Sequence, residues 1–195
     1  MNEPPVTKMD VIRSIETERV WWRAVVDLAE QGGPITGDEP IDGEWTVRDV
    51  IEHVNGWRRW TVARLEAAAN GAPPVPPWPA RLTDTTEEEV DEINAWFLQQ
   101  GRAKPLSEVV AEAFSLLDRM QHAVEAIPDD RLLTPGVFAE TDPQIADYPI
   151  GPALVGFSMM HVHIDHAAAI QEWLSERIGQ DVELPPAPSD FGFED

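Results

Sequence analysis

The chain has 195 residues, 43% of them hydrophobic, which is enough for one domain with a well-formed core and short for two. Acidic residues outnumber basic ones 36 to 14, and the formal net charge of −22 argues against nucleic acid and membrane surfaces as partners, because both are anionic. There is no cysteine, so disulfides, thiolate metal ligands and a protein-borne thiol nucleophile are excluded, and any metal must be held by imidazole and oxygen.

A polar, Pro-containing leader precedes the first predicted helix, Met9 to Glu30, where Val11, Ile12, Ile15, Val20, Trp22, Val25, Val26 and Leu28 recur at helical intervals. Gln31-Gly32-Gly33-Pro34 ends it, since Gly caps a helix and Pro cannot continue one. Thr46 reads as an N-cap, with Asp49 three residues on, and a second helix runs to about Asn70-Gly71. Its buried stripe is Val47, Val50, Ile51, Val54, Trp57 and Leu65. Gly56 inside that helix costs ~1 kcal/mol relative to Ala, which implies that something packs closely against it. Ala72 to Pro79 holds five prolines and one tryptophan and reads as an extended connector.

The acidic run Glu87-Glu88-Glu89 opens a third helix, which ends by Gly101. Ser107 is expected to cap a fourth, from Glu108 to about Ile127. Asp129 to Pro149 reads as a loop with a short turn near Asp129-Arg131. A last helix is expected to run without interruption from Gly151-Pro152 to about Ile178. No useful strand-like alternation occurs, and no run approaches the ~18 apolar residues of a membrane span. The expectation is an all-α bundle over residues 1–180, an acidic Pro-rich tail over 181–195 that is a surface strap or disordered, and a cytoplasmic location.

Four of the five histidines fall in two stretches, Trp45 to Trp57 and His161 to Leu174. On a continuous helix residues advance by ~100°, so His163 and His166 lie ~60° apart on one side, while His161 lies ~140° from His166 and is assigned to a separate pair with Asp165. His53 shares a face with Trp57 and Trp60. The predicted metal ligands are therefore His53, His163 and His166, a set of imidazoles suited to Zn, Ni, Fe or Cu. Glu52 and His53 are candidate acid/base groups, Trp57 and Trp60 candidate walls of an apolar ligand pocket, and His122 a surface residue. The competing reading of each histidine is a hydrogen-bonded core or surface residue. No Gly-rich phosphate loop, Gly-x-Ser-x-Gly or His-Glu-x-x-His is present.

Gly43-Glu-Trp45-Thr-Val-Arg-Asp-Val-Ile-Glu-His53 with Trp57, then Asp91-Glu-Ile-Asn94 with Lys104-Pro105-Leu106, then His166 with Ile170 and Trp173-Leu174, together resemble the DinB-like superfamily, in particular its ClbS/DfsB-type branch. The resemblance implies a four-helix bundle with a long crossover connection and the Pro-rich loop between helices two and three. It also implies a triad of one helix-two histidine and a His-x-x-x-His pair on the last helix. His53 and His166 match that pattern, whereas the position four before His166 is Val162, which cannot ligate; His163 is the expected substitute, and the alternatives are Asp165, an exogenous ligand or a site that holds no metal. The implied activity is divalent-metal-dependent (Zn or Ni) thiol transfer, isomerisation or hydrolysis of an electrophilic small molecule, with a low-molecular-weight thiol supplied from outside. The alternatives are a metal-free protein that sequesters or hydrolyses a reactive metabolite and a non-catalytic homodimeric bundle.

Overall fold

Reciprocal side-chain caps fix the starts of the two longest helices. Thr7 and Asp10 cap α1 (Lys8–Gln31), and Thr46 and Asp49 cap α2 (Val47–Asn70), each threonine hydroxyl accepting from the backbone N–H three residues on. The structure is a computed structural model and describes residues 5–189 and Phe191. The first four residues of the leader, with residues 190 and 192–195 of the predicted tail, lie outside the described residues.

Between α1 and α2 a short antiparallel hairpin pairs β1 (Pro40–Asp42) with β2 (Trp45–Thr46). It is the only sheet among the described residues, so the class is all-α. After α2 come α3 (Glu87–Arg102), α4 (Leu106–Ala126), the single turn α5 (Asp129–Leu132) and a 3₁₀ turn at Pro143–Ile145. The last two helices among the described residues are α6 (Ile150–Asp165) and α7 (Ala167–Ile178). Among the described residues no helix is long and apolar enough to cross a membrane.

Two sequence expectations change here. Pro105, not Ser107, stands at the cap of α4, and no side chain caps that helix; proline's fixed φ already suits a helix start, which leaves Ser107 inside the first turn. The long last helix is two helices. At His166 the backbone takes φ −125° and ψ −23°, well away from the helical values of about −63° and −42°.

Helix α2 packs against α3, α4 and α6, and α1 packs against α4, α6 and α7. Val11, Ile15, Leu117, Met120, Val155 and Leu174 are fully buried where these faces meet. A second, smaller core joins Trp60 and Phe97 to Trp78 of the Pro-rich segment, whose indole N–H donates to the Leu82 carbonyl. Gly56 makes this core possible: a Cβ there would come within 2.3 Å of the Phe97 ring. Beyond α7, Val182 is buried, Leu184 and Phe191 pack on the main core, and the Ser14 hydroxyl donates to the Ser189 carbonyl, so the described part of this segment lies back along α1.

Candidate metal centre

The face of α2 that carries His53 also carries Trp57, Thr61 and Arg64, at steps of four, four and three. Opposite it, α6 presents Leu154, Ser158, His161 and Asp165 at steps of four, three and four. These faces meet around a cavity of about 580 Å³ that Trp45, Asp84 and Asn94 also line. The start of α2 is held firmly, because Asp49 both caps it and takes two hydrogen bonds from the Arg102 guanidinium at the end of α3.

Within this cavity wall three imidazoles converge. His53 Nε2 and His161 Nε2 are 2.8 Å apart, and His161 Nε2 is 3.3 Å from His166 Nε2. Each of the three offers a ring nitrogen, and these nitrogens lie within 4.8 Å of one another. His53 and His166 are buried and His161 is half-buried. Burial, then the neighbouring His166, pushes His53 down to about 3, against a smaller opposing effect from the Asn94 side chain. Burial also pushes His161 well below its ordinary value, reinforced by His53, His166 and Arg58. His53 and His161 are therefore neutral at physiological pH, and a neutral ring nitrogen is the form that ligates a metal.

The donor set fits a divalent ion. Metal–nitrogen bonds of about 2.0–2.1 Å in a tetrahedral arrangement place ligand nitrogens ~3.3 Å apart, close to the two spacings observed. Three imidazoles with no thiolate and no ligating carboxylate among them suit Zn or Ni better than Mg or Ca.

His163 does not join this group, contrary to the sequence expectation. Its Nε2 lies 2.6 Å from Glu18 Oε2 of α1, on the other side of α6. Glu18 is fully buried, pairs with the buried Arg58 and accepts from the Trp22 indole at 2.8 Å. Burial alone would raise the Glu18 carboxyl, but Arg58, His163 and Trp22 more than offset this and hold it below its ordinary value. His161 takes the expected place of His163. Its ~140° offset from His166 holds only for a continuous helix, and the break at His166 removes that condition.

Glu52 is also placed elsewhere. It is fully buried against α3 and α4, where Arg59 donates to it at 2.7 Å and Lys104 at 3.2 Å, and it does not line the cavity. Trp57 and Trp60 do line it, and the Trp57 indole donates to Asn94 Oδ1 at 2.9 Å. His122 is exposed, with Nδ1 against the Asp118 carbonyl. A larger cavity of about 840 Å³ lies between α1 and α4, but none of the histidines lines it.

The sequence reading missed His161, Ser158 and the Glu18–Arg58 pair. One signal for His161 was available: a predicted helix of nearly thirty residues exceeds the usual globular range of about 8–20, so a break was to be expected within it. Buried charge pairs between α1 and α2 leave no comparable mark in the sequence.

No protein-family model matches the chain, and no curated protein matches it. Among solved structures, the crystal structure of an uncharacterised protein from Escherichia coli UTI89 superposes with a TM-score of 0.65 at 16% identity, covering 91% of this chain and 98% of that one. At that identity the likeness shows a shared fold and nothing about activity.

Proposed function

We propose that this chain is a DinB-like, divalent-metal-dependent enzyme acting on an electrophilic small molecule by thiol transfer, isomerisation or hydrolysis. The convergence of the His53, His161 and His166 ring nitrogens beside a cavity of about 580 Å³ carries the reading. These three residues would hold Zn or Ni, with His161 supplying the nitrogen that Val162 cannot. His161 and His166 are five residues apart instead of the four of the DinB-like pair, and the break at His166 absorbs the extra residue. A bound ion supplies Lewis acidity there, which lowers the pKa of water or of a thiol.

The rest of the chemistry falls to the chain itself. Trp45, Trp57 and Trp60 exclude water from one wall and give an organic substrate an apolar surface. The thiol, where one is used, comes from a small molecule, because the chain has no cysteine. Glu52 supplies no acid/base group to the cavity, since its carboxylate is committed to Arg59 and Lys104.

Metal analysis of protein purified without a histidine tag tests the proposal. About one equivalent of Zn or Ni is expected after loading. Outer-shell changes cost about 10–100-fold in affinity, so His161→Ala, which removes a direct ligand, should cost more than ~100-fold, while His163→Ala should keep the stoichiometry. Less than ~0.2 equivalents in the loaded wild type would overturn the reading, as would loss of metal on His163→Ala with retention on His161→Ala.

A further inference from the structure

The cavity beside the triad has a charge pattern that its role as a metal pocket does not explain. Apart from histidine, its ionisable lining residues are Arg64, Asp84 and Asp165. The Arg64 guanidinium is already neutralised, donating twice to Asp142 at 2.6 and 3.0 Å. Asp84 accepts only from the neutral Gln144 amide at 3.0 Å, and neither Asp84 nor Asp165 forms an ion pair among the described residues. The pocket rim thus carries two carboxylates without an ion pair among the described residues, Asp84 half-buried and Asp165 exposed, in a protein whose net charge is −22.

Two further observations point to an occupant. Ser158 lines the same cavity one turn before His161; it is 8% exposed, and its hydroxyl meets no hydrogen-bond partner among the described residues. A buried hydroxyl left unpaired is costly, and a ligand that accepts or donates there removes the cost. The other wall is aromatic, formed by Trp45, Trp57 and Trp60. The Trp60 ring already carries a cation, the Arg64 guanidinium 5.3 Å from its centroid, so this wall tolerates positive charge beside it. The volume of about 580 Å³ lies within the usual ~300–1,000 Å³ range of small-molecule sites.

We infer that the cavity selects organic cations: molecules with an apolar body and an amine or quaternary ammonium group, the cation held by Asp84 and Asp165 and the apolar body packed against the tryptophan-lined wall. The inference rests on the reading of this cavity as the substrate site and names the class of substrate it admits. In the metal-free protein an anionic molecule of the same shape meets the same walls but finds no unpaired cation, because Arg64 is held by Asp142.

Tryptophan fluorescence and calorimetric titration with benzyltrimethylammonium, benzyl alcohol and phenylacetate test this on the full chain, both after chelator treatment and after zinc loading. In the chelator-treated protein the ammonium probe should bind at least ten times more tightly than either comparison. Asp84→Asn combined with Asp165→Asn should reduce that preference below threefold. Equal binding of all three probes, or tighter binding of phenylacetate, would overturn the inference. A preference that survives the double variant would overturn it too, because it would then arise from the overall negative charge. The zinc arm separates the two readings: ammonium preference without zinc uptake removes only the metal proposal, and zinc uptake without the preference removes only this one.

Discussion

His161 and His163 are two residues apart on α6, yet they face chemically opposite surroundings. His161 meets two other imidazoles, His53 and His166, at nitrogen–nitrogen distances of 2.8 and 3.3 Å. His163 meets the carboxylate of Glu18, which also holds the guanidinium of Arg58. In the first cluster ring nitrogens face one another; in the second, opposite charges already face each other. The same residue type thus joins a group that could hold a metal ion in one place and is tied into a structural ion-pair network in the other. What separates them is which neighbouring helix each ring meets, α2 for His161 and α1 for His163.

Breaking the second cluster should give the largest effect. Glu18→Ala leaves Arg58 buried and without its counter-charge, and removal of one partner of a buried pair costs about 3–5 kcal/mol. Urea denaturation of the metal-free protein at neutral pH measures this. Replacing both Glu18 and Arg58 with Met should recover most of the loss, because two apolar side chains need no partners. If Glu18→Ala leaves the denaturation midpoint unchanged, the contrast between the clusters is wrong.

Acid should act first on the triad. His53 has a folded-state value of about 3, below the ordinary imidazole value of about 6.5, so below pH ~6.5 the unfolded chain takes up a proton that the folded chain refuses. Stability is therefore greatest above pH ~6.5 and falls as the pH drops through the window between that value and about 3. His161 is shifted in the same direction by the same burial. At pH 5.5 the two together should cost the metal-free protein about 2–3 kcal/mol relative to pH 7.5, in a range where ordinary carboxylates stay ionised. His53→Gln should remove roughly half of this acid sensitivity, read from urea midpoints at the two pH values. An unchanged pH dependence would place His53 in a solvated setting.

The chain order of the helices and the face of α2 were readable in the sequence. Thr46 with Asp49, the apolar stripe of α2 and the mid-helix Gly56 each follow from local rules, and the structure pairs Gly56 with the Phe97 ring. Partners across helices were less readable. Ideal helical geometry assigns His161 and His166 to different faces, and a departure at one residue, His166, reverses that assignment. Glu52 was attractive because it adjoins His53, but consecutive helical residues point ~100° apart, which sends it toward Arg59 and Lys104. Glu18 falls within the apolar face of α1, where a sequence pattern marks only an isolated carboxylate and not the arginine that neutralises it.

Ser158 gives the smallest effect, and it sharpens the comparison from the triad side. It lies on the α6 face of His161, buried, with a hydroxyl that has no partner among the described residues. Truncating a hydrogen-bonded buried hydroxyl typically costs about 0.5–1.5 kcal/mol, but removing one that makes no bond also removes its desolvation penalty. Ser158→Ala should therefore change the stability of the ligand-free protein by less than ~0.5 kcal/mol, or raise it slightly. A loss above ~1 kcal/mol in urea denaturation would mean that the hydroxyl is bonded within the protein. It would then be a structural group of the Glu18 kind, and the three imidazoles alone would stand as the ligand-binding groups of this wall.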